Sequence, residues 1–192
     1  MITETLKENY AKEFIVLTRK LIQQYEDIVI PVLEAKKKDN ECYDITLLIN
    51  CFYGLLMMPS KMNWNTLKKY GSAKEVLEKN NFNKNQIITF KTNSTNDLSF
   101  EELVRSIRNG LSHWEENNPK YRNKNFENEP FGLDFEPKET GQLMDNIIIR
   151  GSINDYKTDV TTTFKITHGE CQKRVLNFLS FIYKSAEIKG EL

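Results

Sequence analysis

One stretch constrains the fold more than any other, because it is apolar on nearly every side when drawn as a helix. It runs from Ile45 to Met58, with Asp44 as a suitable N-cap and Pro59 as its stop. A helix without a polar face cannot expose a broad side to water. This one is also too short to span a bilayer. We therefore expect it to be either the central helix of the protein or part of a subunit interface.

The N-terminal region is predicted to form a long helix, from about Thr3 to Tyr25. Apolar residues recur there in steps of three and four, the pattern of a stripe that faces the core. Beyond Pro31 the helix would end at the lysines of residues 36–38, which either complement the negative end of the helix dipole or bind RNA. The stripe consists of Leu6, Tyr10, Phe14, Leu17, Leu21 and Tyr25.

Composition bounds the class of protein. The chain has 192 residues, 39% hydrophobic and 28% charged, which suits one folded domain with a single core. Basic and acidic residues number 27 each, so a nucleic acid would have to bind a local patch. The N-terminus lacks a signal-peptide pattern, and the three widely spaced cysteines fit reduced thiols. We expect a cytoplasmic protein with no membrane contact.

A further helix, from Ser99 to Glu116, carries the polar residues of most chemical interest and is called the motif helix below. Ser99 and Glu102 have the spacing of a capping box, which secures the start of the helix. An apolar stripe runs along one side of it. The stripe consists of Leu103, Ile107 and Leu111, and the polar circumference of Arg105, Arg108, Asn109, Ser112 and His113.

Arg108, Asn109 and His113 form the candidate catalytic set of this helix. One turn separates Asn109 from His113, so the amide can steady the imidazole. In a straight helix Arg108 is turned away from His113 by about 140°. Ser112 points about 100° away from its neighbour His113, which argues against a serine nucleophile activated by that histidine.

Arg108 is followed directly by Asn109 and, after three further residues, by His113. This pattern resembles the signature of the HEPN superfamily (higher eukaryotes and prokaryotes nucleotide-binding). The layout is similar to that of stand-alone HEPN proteins from plasmids and bacterial defence loci. The shared features are the apolar second helix, a polar insert at 60–97 and a β-hairpin at 142–166 before the last helix. The resemblance implies a mainly α fold, a HEPN-like helical bundle with that β-hairpin, in a single domain over residues 1–192.

The insert and the hairpin also have local signals of their own. Ser72 and Glu75 have capping-box spacing for a short helix at 73–79. The remainder of the insert is either a mobile segment that covers substrate or an ordinary surface excursion. Strands are indicated by the β-branched runs at 142–153 and 157–166, and a shorter strand or turn by Ile87, Ile88 and Phe90. A capping box at Thr167 and Glu170 opens the last helix, whose stripe is Cys171, Val175, Leu179, Ile182 and Ala186.

The sequence contains few residues that could bind a metal or a cofactor, or carry out acid–base chemistry. The chain has only two histidines and neither a paired-cysteine spacing nor a dedicated carboxylate cluster, so we predict no metal and no cofactor. The glycine-rich motifs that cradle nucleotide phosphates are also absent from the sequence. His113 remains as a group of near-neutral pKa, with Arg108 as a permanent cation.

These two groups suffice for cleavage of RNA, which carries its own nucleophile in the 2′-hydroxyl. His113 can move a proton and Arg108 can bind the phosphoryl oxygens. One histidine cannot serve as base and acid at once, so we expect a homodimer that brings two sets together. The expected interface includes the motif helix and an apolar face of residues 45–58. The resemblance implies the same: metal-independent, dimeric ribonucleases with a composite site, often toxins or antiphage effectors.

Substrate binding is predicted for two further groups of residues. Basic residues interleaved with aromatics can bind a single-stranded backbone and stack bases, although such runs are also ordinary solvated surface. Trp114 could stack on a base or simply pack at the helix end. The predicted substrate-binding residues are Arg105, Ser112, Trp114, Lys120, Arg122 and Lys124.

Two other interpretations stay open. His113 could be a structural residue near an ordinary helix end. Alternatively, the protein could be a non-catalytic HEPN module that binds nucleotide or RNA together with a partner protein, and an antitoxin or regulatory partner is compatible with either function.

Overall fold

The computed structural model describes residues 43–57, 62–112, 132–137, 144–154, 157–167, 169–185 and 187–188, together with scattered positions between 13 and 32. The helices are α1 (Tyr43–Phe52), α2 (Ala73–Lys79), α3 (Phe100–Ser112) and α4 (Gly169–Ser185). The strands are β1 (Met62–Asn63), β2 (Ile88–Thr92), β3 (Gly132–Pro137), β4 (Met144–Ile153), β5 (Thr158–Lys165) and β6 (Glu187–Ile188). The chain divides into two compact units, of which one is Trp64–Thr167 and the other comprises the residues on either side of it.

The Trp64–Thr167 unit is built on a four-stranded antiparallel sheet with the order β2-β5-β4-β3. β4 and β5 form the central pair, and Asn154 in the turn between them has a φ of 53°. Asparagine is one of the few residues that adopts this left-handed conformation readily. β2 and β3 pair with the outer sides of β5 and β4.

This sheet corrects the predicted fold class. The fold is α+β, and the prediction of a mainly α helical bundle is wrong. β3 lies in a segment rich in proline and acidic residues, which have little strand preference of their own, whereas β2 carries the β-branched and aromatic residues that indicated a short strand or turn. They become strands because they pair with β5 and β4, and Pro137 is tolerated because it ends an edge strand.

The motif helix α3 packs against this sheet through its predicted stripe. Leu103 and Ile107 are fully buried and Leu111 is 4% exposed. The close approach depends on two glycines. A Cβ atom on Gly110 would lie 2.6 Å from the Arg150 carbonyl oxygen, and one on Gly151 would overlap the Ser106 carbonyl. Helix and strand backbones therefore touch where both lack a side chain.

The start of α3 confirms the predicted capping box. Ser99 N–H donates to Glu102 Oε2 at 3.0 Å, and Glu102 N–H donates to Ser99 Oγ at 3.3 Å. α2 spans Ala73–Lys79 as predicted, but its capping box is wrong, because Ser72 makes no side-chain cap bond. Ser72 is instead part of a β-bridge with Ser99, which joins the starts of α2 and α3.

In the other unit, α1 continues into a π-helical turn (Tyr53–Met57) and packs against α4. Most of their described apolar side chains are buried within the single chain, whereas Ile49, Tyr53 and Phe181 are half-buried, and β1 pairs with β6. The apolar helix thus contributes to the core of this unit, and its predicted role in a subunit interface stays a prediction. The buried side chains are Leu48, Cys51, Phe52 and Leu56 on the first helix, and Cys171, Val175, Leu179 and Ile182 on the last.

The described positions between 13 and 32 are helical, in agreement with the prediction. The prediction that the apolar stripe faces the core is wrong for Leu17 and Leu21, whose side chains are 60% and 44% exposed. Thr18, between them, is only 7% exposed. No helix in the described part of the chain is long and apolar enough to cross a membrane.

Candidate functional site

The two arginines of α3 differ in their surroundings. Arg105 is exposed and forms an ion pair of 3.3 Å with Glu101, whose carboxylate is nearly buried. Arg108 is half-buried, and no acidic side chain in the described ranges forms an ion pair with it. The charge of Arg105 is therefore neutralised by a neighbour one turn away, while no carboxylate among the described residues neutralises that of Arg108.

Asn109 links the motif helix to the sheet through a side-chain hydrogen bond. Its Nδ2 donates to the Ser152 carbonyl oxygen at 2.7 Å, near the end of β4. In the described chain the β3–β4 pairing stops at Gly132 and Arg150, so Ser152 lies beyond it. The amide therefore satisfies a carbonyl for which the described part of β3 provides no donor. No described residue donates to the Oδ1 atom of Asn109.

Ser112 is bonded within its own helix. Its Oγ donates to the Arg108 carbonyl oxygen at 2.8 Å, one turn back. This is the usual bond of a serine inside a helix and satisfies a carbonyl near the helix end.

The structure thus brings Arg105, Arg108, Asn109 and Ser112 together on one short helix. His113 is the next residue along the chain and lies outside the described residues. The same holds for the predicted substrate-binding residues Trp114, Lys120, Arg122 and Lys124.

A buried carboxylate near this helix was missed by sequence reasoning. Asp159 on β5 is fully buried, opposite Ser152 in the register. Asn93 donates to Asp159 Oδ2 at 3.2 Å and accepts from its backbone N–H at 2.9 Å. Burial raises the pKa of Asp159 to about 6, and the Ser152 hydroxyl opposes that shift. The available signal was an aspartate inside a β-branched run, where this residue type is uncommon.

Polar groups therefore line up from the end of β2 to the motif helix. Asn93 holds Asp159, Asp159 lies across from Ser152, and Ser152 accepts from Asn109. The partners are far apart in sequence, yet they set the position of α3 where the candidate catalytic residues begin.

Other chemistries find little support in the described residues. No group of three histidine, cysteine or carboxylate side chains there could hold a metal ion. Burial raises the pKa of Cys51 to about 12, so its thiol is not a nucleophile at neutral pH.

Comparison with protein families gives a match that covers nearly the whole chain. The family model described as HEPN pEK499 p136 matches residues 1–188. The match includes α3 and the residues that follow it. Neither the curated proteins nor the solved structures give a significant match.

Proposed function

We propose that this chain, which belongs to the HEPN pEK499 p136 family, is a metal-independent endoribonuclease that acts as a toxin or antiphage effector. Family membership supports the broader class, a HEPN nuclease or nucleotide-binding module. The reaction proposed is cleavage of RNA by its own 2′-hydroxyl, with Arg108 and His113 as the catalytic residues.

One observation carries the proposal. Four arginines are described, and each of the other three forms an ion pair with a carboxylate: Arg105 with Glu101, Arg150 with Asp134 at 3.1 Å, and Arg174 with Glu170 at 3.2 Å. Arg108 has no such partner among the described residues, although it is half-buried. A partly desolvated guanidinium without a carboxylate is suited to an anionic ligand, and its planar fork fits phosphate.

In the proposed reaction the 2′-oxygen attacks phosphorus and the bond to the 5′-oxygen breaks. The 2′-hydroxyl gives up its proton and the departing 5′-oxygen receives one, which leaves a 2′,3′-cyclic phosphate and a 5′-hydroxyl. His113 serves one of these transfers, typically worth about a hundred- to ten-thousandfold in rate. Arg108 stabilises the charge on the phosphoryl oxygens.

Asn109 has two roles in this proposal. Its Nδ2 holds α3 on the sheet through the Ser152 carbonyl. Its Oδ1 would accept an N–H from the imidazole of His113 one turn later, which fixes the ring orientation and leaves the other nitrogen to react.

A second copy of the chain supplies the second histidine. Because one imidazole is base or acid but not both in the same step, a two-fold dimer provides both groups. RNA is the proposed substrate, and a regulatory protein or antitoxin would act by covering Arg108.

The test is an RNA cleavage assay with analysis of the product ends. We expect 2′,3′-cyclic phosphate and 5′-hydroxyl ends, resistance of DNA, and activity in EDTA. His113→Ala should abolish cleavage, while Lys74→Ala, which removes an exposed cation on α2, should not change it. Activity that needs added magnesium would contradict the mechanism. RNA binding that depends on Arg108 without any cleavage would identify a binding module instead.

A further inference from the structure

Two arginine–glutamate ion pairs on the described helices have the same spacing but opposite exposure. In both, the glutamate lies four residues before the arginine: Glu101 with Arg105 on α3, and Glu170 with Arg174 on α4. On α4 the carboxylate side chain is 74% exposed and the arginine only 20%. On α3 the order is reversed, because the carboxylate side chain is 8% exposed and the arginine 55%. The pair on α3 therefore presents its cation to solvent.

The ion pair on α3 uses only part of the Arg105 guanidinium. The contact joins Arg105 Nη1 to Glu101 Oε1 at 3.3 Å, and no other residue of the described chain forms an ion pair or a side-chain hydrogen bond with Arg105. A guanidinium carries five N–H donors in a planar fork. One contact restricts the orientation of the group, and the remaining donors are available to a second anion.

Arg105 and Arg108 are neighbours on the surface of α3. Residues three apart on a helix have Cβ atoms about 5–6 Å apart, and both positions lie off the buried stripe. Like charges one turn apart destabilise a helix slightly, and Glu101 compensates only one of the two. The surface therefore holds two guanidinium groups for one carboxylate. A ligand with two anionic groups close together suits such an arrangement.

We propose that Arg105 binds the phosphate next to the one that Arg108 contacts, so that the substrate is a strand with at least two consecutive phosphates. This inference rests on the proposed function, in which Arg108 contacts the phosphate where the strand is cleaved. Contacts to phosphates fix the register of a strand and do not read its sequence. Arg105 is therefore a specificity-determining residue that makes binding depend on the number of phosphates.

The experiment measures the binding of 2′-O-methyl ribonucleotide probes to the full chain by NMR titration. Their blocked 2′-oxygen cannot attack phosphorus, so the probes are not cleaved. The parent probe is a dinucleotide with a single phosphodiester, and two others carry an additional phosphate at the 5′ or the 3′ end. In the wild type the additional phosphate should lower Kd about threefold to tenfold at one of the two ends. The gain should disappear in Arg105→Ala and persist in Arg174→Ala, the matched control on α4.

A second variant tests the carboxylate of the pair. Glu101→Gln removes the charge and keeps an oxygen that can accept from Arg105, so the gain from the additional phosphate should increase. Salt dependence gives an independent readout, because each phosphate contact adds about 0.7 to the slope of log Kd against log salt for a single strand. The extended probe should have the steeper slope in the wild type but not in Arg105→Ala.

Equal affinity for all three probes in the wild type would overturn the proposal, as would a gain that survives Arg105→Ala or is unchanged in Glu101→Gln. Thermal melting confirms that each variant is folded. Cleavage is measured separately on unmodified RNA, so the two proposals can fail independently. A gain that depends on Arg105 in a chain that does not cleave RNA would contradict the reaction and not the second phosphate contact.

Discussion

The motif helix α3 and the described N-terminal helical positions both carry apolar residues at helical spacing, yet these residues differ in exposure. Leu103, Ile107 and Leu111 are buried on a sheet, whereas Leu17 and Leu21 face solvent. The difference lies in the partner surface. Gly110 and Gly151 let α3 approach β4 until their backbones touch. Apolar residues at helical spacing therefore indicate a helix face that is suited to packing. Whether another part of the chain packs against that face depends on the rest of the fold.

The largest effect is expected from adding a side chain where the backbones of α3 and β4 touch. Gly151→Ala should lower the free energy of unfolding by more than about 3 kcal/mol, because the new methyl group overlaps the Ser106 carbonyl and neither backbone can move independently. Denaturant unfolding measures the change. Gly71→Ala is the control: nothing lies within 4 Å of its added Cβ, and only its φ of 71° is unfavourable, at a cost of about 1 kcal/mol. Equal losses in the two variants would show that the contact does not matter.

A second prediction separates the chemistry of α3 from its packing. Arg108→Ala should reduce RNA cleavage by at least about a hundredfold, because it removes a charge-assisted bond to the transition state. The melting temperature should barely change, because Arg108 lies off the buried stripe and its loss breaks no ion pair in the described chain. Arg108→Lys should restore little, because an ammonium group cannot bind two phosphoryl oxygens as a planar fork does. A large drop in melting temperature with cleavage retained would make Arg108 a structural residue.

The buried carboxylate beside α3 predicts a pH-dependent stability. The folded-state pKa of Asp159 is about 6, above the ordinary 3.8, so the folded protein holds a proton that the unfolded chain has released. Its contribution to stability is therefore full at low pH and is lost as the pH rises through this interval. Asp159→Asn cannot ionise, so the melting temperature of the wild type should fall by a few degrees relative to the variant between about pH 4 and pH 6. Parallel melting curves across that range would contradict the assignment.

The smallest effect is expected at Leu17, an exposed apolar residue near the N-terminus. Leu17→Ala should change the stability of the monomer by less than about 0.5 kcal/mol, because the side chain is 60% exposed. Ile107→Ala, in the covered stripe, should cost about 2–5 kcal/mol. Chemical denaturation at concentrations low enough to exclude a dimer makes the comparison. Similar losses at the two positions would mean that Leu17 is covered within the chain.

Local features could be predicted from the sequence, and non-local ones could not. The capping box of α3, its buried stripe and the span of α2 depend on residues within a few positions of one another. β3 depends on a partner strand elsewhere in the chain, and the bond from Asn109 to Ser152 joins residues 43 positions apart. Arg108 and Asn109 could be singled out as candidates from the sequence. The absence of a carboxylate at Arg108 within the described residues, and the bond that anchors Asn109, are visible only in the three-dimensional structure.

The bond between Asn109 and Ser152 also bears on aggregation. A strand carbonyl that has no hydrogen-bond donor is a template for strands from other molecules. The amide of Asn109 occupies that acceptor. Asn109, a candidate catalytic residue, thus also satisfies a strand carbonyl, so selection for solubility would retain it even in a relative without catalytic activity.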